Sequence, residues 1–80
     1  MRETRGRMAQ LTHAQYDIIE RAVMRGLRVA ITRQGRREIV VIPRRLHSVD
    51  AREAIEASNP VTGLDLTIYT DEIERVEPVG

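Results

Sequence analysis

The chain has 80 residues, which suffices for one domain with a small core. It contains no cysteine, which excludes disulfides, thiolate metal sites and a cysteine nucleophile, and its two tyrosines are too few for a base-stacking platform. No apolar run approaches membrane-spanning length, and the N-terminal residues lack the apolar segment of a secretory signal. We therefore expect a cytoplasmic protein.

All thirteen basic residues are arginines, and they are unevenly distributed. Residues 1–45 carry eleven arginines against four carboxylates, a net charge of +7, whereas residues 46–80 carry two against eight, a net charge of −6. Such asymmetry can mark a basic binding face, or it can mean that basic strands pair with acidic strands across a sheet. We favour the pairing interpretation by a small margin.

The first predicted element is an amphipathic helix at residues 11–26. Thr12 can accept a hydrogen bond from an unpaired backbone N–H at the start of the helix, and Gln15 can bond back to Thr12. Gly26 suits the left-handed position that ends a helix. The apolar stripe of this helix comprises Tyr16, Ile18, Ile19, Ala22, Val23 and, past the end, Leu27.

Five short strands are predicted to follow. A turn at Gln34–Gly35 joins the first two into a hairpin, and the second strand is apolar on both faces, so it should be central. Pro43 either ends this strand or bends it, and the next residues are a loop or its bent continuation. Residues 51–57 have helix propensity, yet only Ile55 is strongly apolar, so a strand is favoured. The predicted strands cover residues 27–32, 38–42, 51–57, 64–69 and 75–77, with one capped turn at 70–73.

These elements predict a mainly β protein with one N-terminal α-helix. A five-stranded antiparallel sheet of this size would expose its edges unless it curled, so we expect a small barrel of the SH3-like or Sm-like type. The barrel and its helix form a single domain at residues 11–80. Residues 1–10 are predicted to be a flexible basic N-terminal arm.

Few residues could support catalysis. His13 and His47 are the only histidines and lack the spacing of a metal site, and Ser48 lacks the strand–turn–helix geometry of an activated nucleophile. The acidic residues near the C-terminus alternate along a predicted edge strand, and the five glycines are scattered, so no phosphate-binding loop exists. We therefore expect a non-enzymatic protein without catalytic residues, metal or cofactor.

Two candidate binding surfaces remain. The first is the outward face of the helix, with Asp17, Glu20 and Arg21, which would suit a basic protein partner. The second is an arginine-rich segment that could contact the phosphates of a nucleic acid. It consists of Arg28, Arg33, Arg36, Arg37, Arg44 and Arg45.

Two further interpretations stay open for these strands. The arginines could instead shield edge strands and pair with Glu53, Glu56 and Glu74, and we favour this interpretation over nucleic-acid binding. Exposed strand edges could also pair between copies of the chain and produce a homo-oligomer.

The helix segment Tyr16–Ala22 resembles the Tyr-Asp-x-Leu-Glu-x-Ala motif of the Rof-like Rho-binding antiterminators. The strand beginning at Leu27, the turn at Gln34–Gly35 and a late strand leading into Asp71–Ile73 are similar in spacing, so the likeness spans roughly residues 15–77. The resemblance implies an N-terminal helix on an Sm-like barrel. It also implies binding to the bacterial transcription terminator Rho, with acidic residues facing a basic surface of Rho. The positions that match the motif are Asp17 and Glu20.

Overall fold

The computed structural model of the protein describes residues 11–79, so the predicted arm at residues 1–10 lies outside the described part. One helix precedes five strands, and a single 3-10 turn, Thr70–Glu72, separates the last two strands. The helix is α1 (His13–Arg25). The strands are β1 (Val29–Arg33), β2 (Ile39–Val49), β3 (Arg52–Ser58), β4 (Asp65–Tyr69) and β5 (Ile73–Pro78).

Local side-chain chemistry determines both ends of α1. The Thr12 hydroxyl accepts a hydrogen bond from the Gln15 backbone N–H at 3.1 Å, and the Gln15 side-chain oxygen accepts one from the Thr12 backbone N–H at 2.8 Å. Gly26 ends the helix with a φ of 68°, a left-handed conformation in which a Cβ is unfavourable. The predicted helix and its capping residues are confirmed.

The core lies between α1 and one face of the sheet. Ile19 and Ala22 are buried there, while Tyr16, Ile18 and Val23 pack partly buried around them. The strands contribute the buried residues Val29, Ile31, Val41, Ile55, Ala57, Ile68, Ile73 and Val76. The prediction that Leu27 extends the apolar stripe is wrong, because the chain turns at Gly26 and leaves the Leu27 side chain 43% exposed.

All strand pairs are antiparallel, and the strand order is β4-β3-β2-β1-β5. The central position predicted for the second strand is therefore confirmed. β2 does not stop at Pro43: its first residues pair with β1, and residues 42–49 pair with β3. Between Pro43 and Arg45 the register shifts by one residue, so Arg44 is a β-bulge without a partner on β3.

The strand predicted at residues 51–57 is confirmed as β3, because a helix here would bury little more than Ile55 whereas the sheet buries Ala54, Ile55 and Ala57. β3 follows β2 through a tight turn in which Asp50 and Ala51 have φ angles of 51° and 66°. Two consecutive positive φ angles match the right-handed twist of a hairpin.

β4 and β5 are the two edges of the sheet. Within residues 11–79 no backbone pairing joins β4 to β5, so the sheet is not closed. The mainly β architecture with one helix is confirmed, and the closed barrel is not.

Candidate functional site

The outward face of α1 presents the predicted protein-binding residues together. Asp17, Glu20 and Arg21 are all exposed, and spacings of three and four residues place them on one side of a helix. Met24 extends the same face by one turn, and its side chain is 84% exposed. This face therefore combines two carboxylates, one guanidinium and an uncovered apolar side chain.

The tyrosine of the same helix motif has a different environment. The Tyr16 hydroxyl donates a hydrogen bond to Glu53 Oε1 on β3, and the Thr70 hydroxyl donates to the same oxygen at 3.1 Å. We call these three residues the Glu53 cluster; all of them are at least half-buried. The hydrogen bond to the Glu53 carboxylate, together with burial, raises the pKa of Tyr16 from 10.0 to about 12. The cluster attaches the start of α1 to β3 and to the 3-10 turn.

A second polar cluster lies on the opposite face of β3. Arg52 donates hydrogen bonds from Nε and Nη2 to the two oxygens of Asp71, at 3.0 and 2.7 Å, and Nη2 also reaches Glu72 at 3.3 Å. Its guanidinium carbon is 3.8 Å from the centre of the Tyr69 ring. The guanidinium of Arg52 lowers the pKa of Asp71. Arg52, Tyr69, Asp71 and Glu72 form the Arg52 cluster, in which the charged side chains are about 40% exposed.

Sequence reasoning missed both clusters. Helical spacing places Tyr16 in the apolar stripe, but a buried tyrosine hydroxyl generally needs a polar partner. That requirement was the available signal for the Glu53 cluster. The sequence does not indicate which carboxylate pairs with Arg52, because Asp71 lies in the 3-10 turn between β4 and β5, far from Arg52 along the chain.

The predicted arginine-rich surface is divided in the structure. Arg33, Arg36 and Arg37 surround the β1–β2 turn, where the Arg36 backbone N–H donates to the Arg33 carbonyl at 3.0 Å. Arg28 lies before the other end of β1, roughly 17 Å from Arg33 along the strand at about 3.3 Å per residue. The six arginines therefore do not form one continuous site.

Arg44 and Arg45 form a separate pair. A regular strand would send consecutive side chains to opposite faces, but the bulge lets both residues line one open cleft of about 350 Å³. Glu56, Ala57 and Asp65 line the same cleft. Arg45 Nε lies 3.7 Å from Glu56 Oε1, which agrees with the predicted pairing of a β-strand arginine with Glu56. The Glu53 carboxylate instead accepts hydrogen bonds from the hydroxyl groups of Tyr16 and Thr70.

A groove between α1 and β2 was not predicted. Glu20, Val23 and Met24 line it from the helix, and Arg45 and Leu46 line it from the strand. Its volume is about 350 Å³. The sequence indicated which side of α1 faces outward, but not that the bent part of β2 lies beside that face.

The two histidines lie apart. His13 is exposed in the first turn of α1, whereas His47 on β2 places Nε2 3.6 Å from Glu56 Oε2. In the part of the chain that the structure describes, no three His, Asp or Glu side chains converge as metal ligands would.

α1, the α-helix within residues 11–79, is too short and too polar to cross a membrane.

Comparison of the chain with models of known protein families and with curated proteins finds no match.

Proposed function

We propose that the chain is a small, non-enzymatic binding module of the SH3-like or Sm-like barrel type. Three features support this assignment: the strand order, the short connection between β4 and β5, and the bulged strand β2. β2 pairs with β1 through its first residues and with β3 through residues 42–49. Only the three-residue 3-10 turn separates the end of β4 from the start of β5. A gap between these two edge strands distinguishes the observed sheet from a closed barrel.

The function supported best is capture of a basic protein partner by the outward face of α1. One observation carries this proposal: residues of the same helix motif have different environments. The Tyr16 hydroxyl is hydrogen-bonded to Glu53 on β3, whereas Asp17 and Glu20 are exposed. Exposed carboxylates of this kind steer and orient a basic partner. In line with the resemblance to Rof-like antiterminators, Rho is the first candidate partner, and regulation of bacterial gene expression is the proposed role.

The test is direct binding to purified Rho, measured by biolayer interferometry for the whole chain and two variants. We expect Asp17→Arg and Glu20→Arg each to weaken binding by about tenfold or more, since like charges at a charged interface cost on the order of 1.4 kcal/mol or more. Glu38→Arg is the matched control, because it makes the same charge reversal at an exposed residue of the β1–β2 loop. Unchanged binding by both helix variants would rule out capture by this face.

A second candidate is nucleic-acid binding through the β1–β2 turn. It is favoured by the grouping of Arg33, Arg36 and Arg37 around one turn, where Arg36 and Arg37 are exposed. The expected signature is an affinity for single-stranded RNA that falls steeply with salt. Fluorescence anisotropy of labelled RNA with the double variant Arg36→Ala/Arg37→Ala provides the measurement, and an unaltered affinity would exclude this function.

A third candidate is a homo-oligomer formed through the strand edges. The open edges of β4 and β5 favour it, because an unpaired strand edge can pair with that of another copy. Multi-angle light scattering at micromolar concentration would reveal the oligomer, and a strict monomer would exclude it.

A further inference from the structure

The groove between α1 and β2 has the size and lining of a docking site. Its volume of about 350 Å³ lies in the lower range for ligand sites, and three of its five lining residues are apolar. Of its apolar lining residues, Val23 and Leu46 are half-buried, whereas Met24 is 84% exposed. A methionine in this position can adapt its unbranched side chain to the shape of a partner.

Two side chains of opposite charge also line this groove. Glu20 lines the groove on the helix side, one helical turn before Met24, a rise of about 6 Å. Arg45 lines it on the strand side, where its side chain is 63% exposed and contacts Glu56 only at 3.7 Å. An occupant is therefore matched in charge if it carries a cation towards α1 and a hydrogen-bond acceptor towards β2.

We infer that this groove is the anchor pocket for a protein segment that inserts one large apolar side chain between Met24 and Leu46. The same segment carries a Lys or Arg about one helical turn from that anchor, opposite Glu20. This inference rests on the proposed function, because Glu20 belongs both to the outward face of α1 and to the groove. It adds that the partner is recognised by an apolar anchor next to a basic residue, and not by charge alone.

Synthetic peptides test the inference without an identified partner. The whole chain, labelled at its methyl groups, is titrated with a short amphipathic peptide that carries Leu and Arg one turn apart, and its NMR spectrum is recorded. We expect the methyl resonances of Met24 and Leu46 to shift and saturate. Replacing the peptide Leu by Ala, or its Arg by Glu, should weaken binding by about tenfold, which corresponds to about 1.4 kcal/mol.

Matched variants of the chain distinguish the groove from other apolar surfaces. Met24→Gln should abolish the peptide-induced shift of the Leu46 methyl resonances without unfolding the protein, since Met24 is 84% exposed. Val61→Gln makes the same kind of change at a side chain that is 91% exposed in the β3–β4 turn, and it should bind the peptide normally. Equal loss in both variants, or binding that ignores the peptide Leu, would overturn the inference.

The test separates the groove from the proposed function as a whole. Asp17 does not line the groove, so Asp17→Arg should retain peptide binding while weakening capture of the protein partner. Capture of the partner without any peptide-induced shift at Met24 and Leu46 would overturn the groove alone. Shifts of these two residues that depend on protein concentration, without peptide, would assign the groove to a second copy of the chain and would also overturn the inference.

Discussion

Arg52 and Glu53 are adjacent on β3, yet they organise two polar clusters of different character. Glu53 points to the face that carries Ile55 and Ala57, and it accepts hydrogen bonds in the half-buried Glu53 cluster. Arg52 points to the other face and forms the exposed ion pairs of the Arg52 cluster. Water competes with exposed ion pairs but hardly with half-buried hydrogen bonds. The Glu53 cluster should therefore stabilise the fold more than the Arg52 cluster, although it has fewer charged side chains.

Removing the Glu53 carboxylate should have the largest effect. Glu53→Ala leaves the half-buried Tyr16 hydroxyl without its acceptor and leaves the buried Thr70 hydroxyl only the backbone carbonyl of residue 53, at 3.4 Å, so we expect the free energy of unfolding to fall by about 2–3 kcal/mol. Urea denaturation followed by circular dichroism measures this. Glu56→Ala is the matched control on the same strand; its contacts lie at 3.6–3.7 Å, and its loss should stay below about 1 kcal/mol. Equal losses would contradict the comparison.

Tyr16→Phe tests one hydrogen bond of the Glu53 cluster. It keeps the ring that packs against the core but removes the donor to Glu53, so we expect a loss of about 1–2 kcal/mol at neutral pH. Tyr69→Phe serves as the control, because the contact of that ring with Arg52 does not use the hydroxyl. An equal or larger loss in Tyr69→Phe would contradict a specific contribution of the Tyr16 hydroxyl to stability.

The same hydrogen bond predicts a loss of stability in alkali. The folded state raises the pKa of Tyr16 from 10.0 to about 12, so it holds the phenol proton more tightly than the unfolded chain does. The stabilisation of the folded state by this difference in pKa is therefore fully present below pH 10 and is lost as the pH rises from 10 to about 12. Thermal denaturation across this range should show the loss in the natural chain and a weaker loss in Tyr16→Phe. Identical profiles would contradict the link to Glu53.

The turn before Arg52 offers a stabilising change that is independent of both clusters. Ala51 has a φ of 66°, which is unfavourable for a residue with a Cβ. Ala51→Gly should therefore raise the free energy of unfolding by about 0.5–1 kcal/mol, the strain relieved being partly offset by the entropy of glycine in the unfolded chain. Ala14→Gly, at an exposed position inside α1, is the control and should lower it. If both changes destabilise, the turn geometry is wrong.

Breaking the Arg52 cluster should have the smallest effect. Asp71→Asn removes the charge of the partner that holds Arg52, but both side chains are about 40% exposed, so the loss should be smaller than that of Tyr16→Phe and should vanish in high salt. Arg52 lowers the pKa of Asp71 below its ordinary value of 3.8. The stabilisation by this ion pair is therefore present above pH 3.8 and is lost as the pH falls below that value. A loss that persists in high salt would contradict this assignment.

The parts of the fold that the sequence predicted are those determined by neighbouring residues. The Thr12–Gln15 capping box, the end of α1 at Gly26 and the hairpin turn at Gly35 each depend on one or two side chains or on a positive φ. The course of β2 beyond Pro43 depends on its pairing with β3, and alternation alone left it as either a loop or a strand.

The candidate sites show the same limit. Helical spacing predicted that Asp17, Glu20 and Arg21 would share a face. The groove beside that face depends on where Arg45 and Leu46 lie relative to α1, which is a long-range property of the bent strand. Similarly, the charge pattern predicted that arginines of these strands would pair with Glu53, Glu56 or Glu74, but it could not show which pairs form or that the Glu53 carboxylate accepts hydrogen bonds from hydroxyl groups.

The bulge at Arg44 is in effect a one-residue insertion in β2. Before the bulge, the β2 side chains that pack in the core have odd residue numbers, as Ile39 and Val41 do. After the bulge, the core side chain Leu46 has an even number, because the extra residue shifts the alternation by one. A chain with Arg44 deleted would therefore keep every inward and outward side chain in order and could pair continuously with β3. It would lack the bend that a bulge imposes on a strand. The one extra residue in β2, and not its hydrophobic pattern, is therefore the source of that bend.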